Sequence, residues 1–158
     1  MRLQQRPDYG DGVRTPDKVI EVGAWLLENG HRALLTVTRG RFPTSVAGMQ
    51  PVELHTTGRK SGLRRSTLLT APICEERRVV LVASKGGHRD HPQWYKNLVA
   101  NPEVELAING STRAMRARTA TPEEKSALWP TIVARYRGYA DYQRNTDRDI
   151  PVVICEPA

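Results

Sequence analysis

The sequence predicts a single α+β domain that is mainly β, with about six antiparallel strands closed into a small barrel and helices at its margins. Three observations predict this fold. The chain has 158 residues, which is the usual size of one domain. From Val52 onward, short apolar runs alternate with turn signals, as in compact antiparallel β-structure. Asn109-Gly110 lies between two such runs and is typical of a type I′ hairpin turn.

The first fifty residues predict a helix followed by a basic linker, ahead of the barrel domain at 51–158. The helix should run from about Pro16 to Glu28, because Thr15 can cap it and proline suits its first position. Its apolar face recurs at helical spacing. That face consists of Val19, Val22, Gly23, Leu26 and Leu27.

The strands and later helices follow from periodicity and from their end signals. The strands are expected at about 52–57, 64–73, 77–84, 103–108, 111–120 and 151–155. A helix should run from Pro92 to Ala100, and another should begin with a capping box at Thr121 and Glu124. Pro130 should kink or break that helix, and Gly138 should interrupt it again before Tyr139 to Thr146.

Composition restricts the partner and the compartment. The net charge of +7 indicates an anionic partner such as a phosphate group, nucleic acid or an acidic membrane face. Cys74 and Cys155 lie in apolar runs without zinc or redox spacing, so both are expected to be buried thiols in a reducing cytoplasm. Met1 to Gly12 is polar and charged, unlike a signal peptide, and no apolar stretch approaches the roughly 18 residues of a membrane span, so a cytoplasmic protein is expected. Peripheral membrane contact remains compatible with the charge.

The densest functional signal is a glycine-bounded turn that carries four cations within seven residues. Glycines allow backbone N–H groups to approach a ligand, and arginine can bind phosphate or carboxylate through two parallel hydrogen bonds. The turn is therefore interpreted as an anion cradle, and the alternative is a solvated basic hairpin tip. The cradle comprises Thr57, Gly58, Arg59, Lys60, Ser61, Gly62, Arg64 and Arg65.

A second candidate anion site is Ser84-Lys85-Gly86-Gly87, which connects a strand to the helix at Pro92. It lacks the glycine spacing of a P-loop or a dinucleotide fingerprint. The alternative is an ordinary strand-to-helix connection.

Three tyrosines form the third candidate feature. Tyr136, Tyr139 and Tyr142 are spaced three apart and are expected to share one helical face, where they could cover an aromatic ligand and offer protons. The alternative is that they pack against the barrel with their hydroxyls at the rim. For Trp94, core or rim packing is favoured over stacking on a ligand.

No metal site is predicted. His88, Asp90 and His91 lie close in sequence, but zinc would need a third or fourth ligand that the sequence does not supply nearby. His55 is expected to be a hydrogen-bonded strand residue and not a base.

The chain resembles the deazaflavin-dependent nitroreductase and quinone reductase family, whose members have a split β-barrel. The match extends from about Val52 to Pro157 and depends on three blocks in a specific order. They are Leu54-His-Thr-Thr-Gly-Arg-Lys-Ser-Gly62, then Ala83-Ser-Lys-Gly-Gly87 with Pro92-Gln-Trp-Tyr-Lys-Asn-Leu98 and Asn101-Pro102, and finally Tyr139-Ala-Asp-Tyr142 with Thr146-Asp147 and Ile150-Pro-Val-Val153.

The resemblance implies that the cradle, including Arg59, Lys60, Ser61, Arg64 and Arg65, holds the phosphate and acidic tail of coenzyme F-420. It implies that Ser84, Lys85, Gly86 and Gly87 lie against the deazaflavin head, while Trp94, Tyr95 and Asn97 form or support the pocket wall. Tyr136, Tyr139 and Tyr142 would line the substrate side. Arg137 departs from the family pattern, which often has proline after the first tyrosine.

The activity implied is hydride transfer from the reduced deazaflavin to a small electron-poor acceptor such as a quinone, nitroaromatic or enone. Tyr139 or Tyr142, or water held by Ser84, would supply the proton. Two alternatives stay open: an FMN- or haem-binding split barrel, and a non-catalytic basic barrel that binds nucleic acid or anionic lipid. Nucleic acid is disfavoured because the cations gather at turns and the aromatics in helices. The chain is expected to be a monomer or a homodimer.

Overall fold

The computed structural model describes residues 16–18, 20 and 48–158. Within these residues it contains seven strands and three helices of regular length, with a short 3-10 turn at Lys85–Gly87. The strands are β1 (Gln50–Thr57), β2 (Arg64–Ala71), β3 (Ile73–Cys74), β4 (Val79–Val82), β5 (Glu103–Ile108), β6 (Ser111–Thr119) and β7 (Val152–Pro157). The helices are α1 (Gln93–Ala100), α2 (Pro122–Arg135) and α3 (Gly138–Arg144).

All strands pair antiparallel in one sheet with the order β2-β1-β5-β6-β7-β4-β3. β2 and β3 lie at opposite ends of this order, yet only Pro72 separates them in sequence. The sheet therefore curls upon itself into a half-barrel. The predicted α+β class and antiparallel barrel-like sheet are confirmed. The strand predicted at 64–73 is divided at Pro72, which has no N–H to donate to a ladder.

The core lies on both faces of the sheet, because β4 is buried on both sides. Val79 and Leu81 pack on one face with Leu98 of α1, and Val80 and Val82 pack on the other with Ile132 of α2. Burial on both faces explains why β4 is a continuous apolar run without polar alternation. The helices are consequently held at fixed places around the sheet.

The hairpin between β5 and β6 has the predicted form. Asn109 and Gly110 have φ of 50° and 80°, and Ile108 pairs with Ser111 across the two-residue turn. Positive φ at both turn residues is the type I′ geometry that matches the twist of paired strands.

α2 begins as predicted but ends differently. Thr121 and Glu124 form the capping box, and the helix continues through Pro130 to Arg135 without breaking. It ends at Tyr136, whose backbone is extended with φ of −150°. The prediction that Tyr136 shares one helical face with the other two tyrosines is therefore wrong, since Tyr136 lies between α2 and α3.

Two further predictions concern the N-terminal region and the cysteines. Asp17, Lys18 and Ile20 are helical, and the rest of the predicted helix and most of the linker lie outside the described residues. Cys155 is buried as predicted, whereas Cys74 is exposed. Cys74 belongs to the two-residue edge strand β3, where its neighbour is half-buried and the cysteine side chain faces outward.

Loss of the Glu124 carboxylate should destabilise the fold in a pH-dependent way. The Arg118 side chain, together with the Thr121 backbone N–H, lowers the pKa of Glu124 to about 2. Because this pKa is lower when folded than when unfolded, the carboxylate stabilises the fold above its ordinary pKa, and the effect disappears as pH falls toward about 2. Glu124→Ala should therefore lower the thermal midpoint at pH 7, and the difference from wild type should shrink as the pH falls toward about 2.

The matched control is Glu123→Ala, because Glu123 is also exposed in the first turn of α2 but takes no part in the capping box. Thermal unfolding of both variants between pH 7 and pH 2.5 measures the effect. Equal midpoints for the two variants at pH 7 would contradict the role assigned to Glu124.

Candidate functional site

The turn between β1 and β2 has a defined backbone. The Gly58 N–H donates to the Leu63 carbonyl at 2.7 Å, and the Gly62 N–H donates to the Gly58 carbonyl at 2.8 Å. The predicted cradle is thus a hydrogen-bonded loop at the end of a paired hairpin, which limits the positions its cations can take.

The four cations of this loop are exposed, but they differ in what they contact. Arg59 donates to Gln93 Oε1 at 2.9 Å and Asn97 Oδ1 at 3.2 Å, and Arg64 pairs with Glu105 at 2.6 Å. The side chains of Lys60 and Arg65 make no hydrogen bond or ion pair with any residue in the described part of the chain. These two cations are free to bind an anion without losing an existing partner.

Asn97 links α1 to the cradle. It is only 6% exposed, and its Oδ1 accepts from both the backbone N–H and the guanidinium of Arg59 at 3.2 Å. Its amide nitrogen donates to Thr56 Oγ1 at 3.3 Å. Asn97 therefore stabilises the cradle and is not a ligand contact, because its hydrogen-bonding groups are already bonded to Arg59 and Thr56.

The segment Ser84–Gly87 forms a tight left-handed turn. Lys85, Gly86 and Gly87 have φ of 44°, 61° and 81°. A Cβ on Gly87 would lie 2.6 Å from the Tyr142 carbonyl oxygen, so the turn packs directly on the backbone of α3. The predicted second anion site is thus held against the helix that carries Tyr139 and Tyr142.

Arg148 binds this turn and was not found by sequence reasoning. Its guanidinium donates to three backbone carbonyls: His88 at 2.7 Å, Ser84 at 2.7 Å and Ala83 at 3.1 Å. Partial burial lowers the pKa of Arg148 below its usual range. The only sequence signal near it was the block containing Thr146-Asp147, which nothing in the local pattern connected to the turn.

The histidines of the same segment are used in hydrogen bonds. The Asp90 N–H donates to His88 Nδ1 at 2.9 Å, and Arg148 lies 3.1 Å from His91 Nδ1, which therefore accepts. Partial burial, with the charges of Arg148 and Lys96, lowers the pKa of His91. Among the described residues, no group of three or more His, Cys, Asp or Glu side chains is placed to hold a metal ion. His55 is hydrogen-bonded within the sheet, 2.8 Å from Ser66 Oγ.

The three tyrosine rings form one cluster even though Tyr136 is off the helix. Their centroids are 5.3 to 6.2 Å apart, and the hydroxyls of Tyr136 and Tyr142 are 3.2 Å apart. Tyr139 is buried, with its hydroxyl 3.7 Å from Met49 Sδ. Burial raises the pKa of Tyr139. Burial and the neighbouring Tyr136 hydroxyl raise that of Tyr142 well above its ordinary value, so both phenols are neutral at physiological pH.

The cradle and the tyrosine cluster lie toward opposite ends of the β1–β2 hairpin. Thr57 pairs with Arg64 at the cradle, and Pro51 pairs with Thr70 near Tyr139. Six residues separate these pairs, which corresponds to about 20 Å of strand. Residues 84–93 connect the same two regions, since the turn contacts α3 at one end and Gln93 contacts Arg59 at the other.

Two aromatic residues of α1 have different environments. Trp94 is 7% exposed and belongs to the core, which agrees with the packing that the sequence favoured for it. Tyr95 is half-buried, with its hydroxyl 2.9 Å from Thr119 Oγ1. The assignment of these two residues to the pocket wall stays a prediction. Because Trp94 is buried in the core, it is better placed to support that wall than to form its surface.

Arg148 also lines a separate groove of about 380 Å³. It is lined by Pro16, Asp17, Arg89, Asn145, Thr146, Asp147 and Arg148, and so by neither the cradle nor the tyrosines. No helix in the described residues has the length and apolar character needed to cross a bilayer.

Comparison with known proteins identifies similar sequences. A sequence model of the F420H2-dependent quinone reductase family matches residues 29–157. An F420H2-dependent quinone reductase of Mycobacterium tuberculosis is 36% identical over 137 residues, covering 84% of this chain and 91% of the relative. A putative quinone reductase of the same type and organism is 39% identical over 85 residues, covering 54% and 71% of the two chains.

Solved structures agree. An F420H2-dependent reductase is 41% identical, with a TM-score of 0.61, and the match covers 67% of this chain and 93% of that one. A structure described as a domain-swapped dimer is 37% identical, with a TM-score of 0.63 and coverage of 89% and 98%. A heme binding protein from Mycobacterium smegmatis, 18% identical with a TM-score of 0.52, shares the fold alone.

Proposed function

Because this chain belongs to the F420H2-dependent quinone reductase family, we propose that it uses reduced coenzyme F-420 to reduce a quinone or a similar small electron-poor acceptor. The observation that carries this proposal is the family match, which extends over residues 29–157 and so includes the cradle, the turn and the tyrosines. Nitroaromatics and enones are further acceptors of the same chemical class.

The residues present suit this coenzyme, which is long and carries a phosphate and carboxylates at one end and a flat ring system at the other. Lys60 and Arg65 are exposed cations without partners among the described residues, and Arg59 is beside them. Toward the other end of the hairpin, about 20 Å along the strands, the aromatic cluster offers ring surfaces, and the turn at Ser84–Gly87, which packs on α3, offers backbone donors. We assign the acidic end to the cradle and the ring to the turn.

The bound coenzyme would supply the hydride, and the protein's residues bind, orient and provide a proton. Lys60, Arg65 and Ser61 hold the acidic end, and the rigid backbone of the turn fixes the position of the ring. An acceptor that gains a hydride carries a new negative charge on oxygen or nitrogen, which a neutral donor must stabilise or protonate.

Tyr142 is the best candidate for the proton donor. It is half-buried, and its hydroxyl contacts that of Tyr136, which can replace the proton. Tyr139 was an equal candidate from the sequence, but its buried hydroxyl contacts Met49, so we assign it to packing beside the substrate. Water held by Ser84 remains the alternative donor.

Tyr142→Phe should lower turnover by about 10- to 100-fold, because loss of a positioned acid removes part of the factor that general acid catalysis contributes. Its affinity for coenzyme F-420 should change little. Tyr139→Phe is the matched control, since it removes a hydroxyl that faces Met49, and turnover should stay within about threefold of wild type. Steady-state kinetics with a quinone acceptor measure both, and equal losses would contradict the assignment.

A fluorescence titration with coenzyme F-420 tests the function, with FMN and a short DNA duplex as controls at the same salt. Saturable binding of the deazaflavin alone, followed by turnover of its reduced form with a quinone panel, is the expected result. Saturation by FMN or DNA and not by the deazaflavin would overturn the proposal.

Assembly and location remain predictions. The similar structure described as a domain-swapped dimer favours the homodimer over the monomer, and light scattering of the purified protein would decide between them. Peripheral membrane contact, which the net charge allows, stays a prediction. The cytoplasmic location that the sequence pattern predicted also stays a prediction.

A further inference from the structure

The Arg148 guanidinium forms hydrogen bonds with backbone carbonyls in and next to the turn. All three guanidinium nitrogens donate to carbonyl oxygens, and Nη1 also meets His91 Nδ1. Arg148 forms no ion pair with a carboxylate among the described residues. A half-buried guanidinium that binds carbonyls in this way fixes the direction of the peptide groups to which those carbonyls belong.

Each peptide group bound by Arg148 has an N–H on its opposite side. The Ala83 carbonyl shares a peptide plane with the Ser84 N–H, and the Ser84 carbonyl shares one with the Lys85 N–H. No peptide bond in the described part of the chain is cis, so the C=O and N–H of each group point in opposite directions. Because Arg148 holds both carbonyls, both N–H groups are directed away from it.

These two N–H groups have no acceptor among residues 16–18, 20 and 48–158. Neither the Ser84 N–H nor the Lys85 N–H donates to a backbone or side-chain acceptor within the described residues. The next two amides of the turn are used, since Gly87 donates to the Ser84 carbonyl at 2.9 Å and His88 donates to the Lys85 carbonyl at 3.1 Å. The Ser84 carbonyl therefore accepts from both the Arg148 guanidinium and the Gly87 N–H. It links Arg148 to the internal hydrogen bonding of the turn.

The conformation of Lys85 indicates that the turn is held in place from outside. Lys85 is not a glycine, yet its φ is 44°, in the left-handed region that side chains disfavour. Such a conformation persists where the surrounding contacts determine it. Those contacts are Arg148 on one side and the close approach of Gly87 to α3 on the other.

We propose that Arg148 is a positioning residue that aims the backbone N–H groups of Ser84 and Lys85 at the electron-rich oxygen edge of the bound deazaflavin ring. This inference rests on the proposed function, because it deepens the role of the same turn. Two preorganised N–H donors would hold that edge of the ring and stabilise negative charge on its oxygens without reorganisation. Arg148 itself contacts neither coenzyme nor substrate.

The test is amide NMR of 15N-labelled protein titrated with oxidised coenzyme F-420, with the dissociation constant measured by fluorescence. In wild type, the Ser84 and Lys85 amide protons should move downfield on binding. In Arg148→Met these shifts should fall by half or more, and the dissociation constant should rise about tenfold. Arg148→Lys keeps the charge but has all its donors on one nitrogen, so it cannot reproduce the planar fork that spans the three carbonyls, and it should show the same loss of shifts.

The matched control is Arg144→Met, which removes an arginine of α3 that pairs with Asp141 and does not touch the turn. Its Ser84 and Lys85 shifts should equal those of wild type. If Arg148→Met does not fold, Arg148→Lys alone decides, and wild-type shifts in it would overturn the proposal. Wild-type binding without movement of these two amides would overturn the proposal while leaving the function intact, whereas no binding by wild type would overturn both.

Discussion

Replacing Gly87 with alanine is expected to destabilise the protein by about 2–4 kcal/mol, in the range of other substitutions that introduce a steric clash or unfavourable backbone geometry. The first cause is the backbone, because φ of Gly87 is 81°, where an L side chain is disfavoured by about 1 kcal/mol. The second is contact: the new Cβ would lie 2.6 Å from the Tyr142 carbonyl oxygen and 2.9 Å from Asn145 Cβ. These atoms belong to α3 and its end and cannot move alone.

Gly110→Ala separates the two causes. Gly110 has almost the same φ, 80°, but no atom lies within 4 Å of a Cβ built there. It should therefore lose only about 1 kcal/mol. Urea unfolding of both variants measures the free energies, and the Gly87 variant should also bind coenzyme F-420 more weakly under conditions where it is folded. Equal destabilisation at the two positions would show that the turn does not pack on α3 as described.

The second large effect is expected from Lys60→Ala, which should raise the dissociation constant for coenzyme F-420 by about 10- to 100-fold. A hydrogen bond to a charged group is worth about 1.5–3 kcal/mol, and about 1.4 kcal/mol corresponds to a factor of ten. Lys60 is exposed and has no partner among the described residues, so its removal should leave the fold intact. The loss should shrink as salt is added, because exposed charges are screened.

Arg77→Ala is the control for net charge. Arg77 is also exposed and without a hydrogen bond or ion pair to the described residues, but it lies in the turn between β3 and β4. Its removal lowers the net charge by the same amount and should change the dissociation constant less than twofold. If the two variants weakened binding equally, general attraction and not the cradle would be responsible.

The features that the sequence predicted well are those set by neighbours along the chain. The Asn109-Gly110 hairpin and the capping box of Thr121 and Glu124 each depend on a few adjacent residues, and both are confirmed. The cradle between β1 and β2 likewise combines a strand pair, glycines and cations within one short segment. Its role in binding the coenzyme remains a prediction.

Local patterns were less reliable where packing opposed them. Pro130 does not break α2, since the helix continues to Ile132, which is fully buried against the sheet. Cys74 was expected inside because its neighbours are apolar, but its position on the outer side of an edge strand exposes it.

The sequence alone therefore determined the fold class, the main turns and the places where cations gather, since periodicity, capping and turn chemistry act over a few residues. Only the tertiary structure decided how these parts meet. Arg148 reaches carbonyls some sixty residues earlier in the chain, and Asn97 braces a loop nearly forty residues before it. Contacts between residues so far apart depend on the way the sheet curls and on which faces the helices cover, and no local pattern records either.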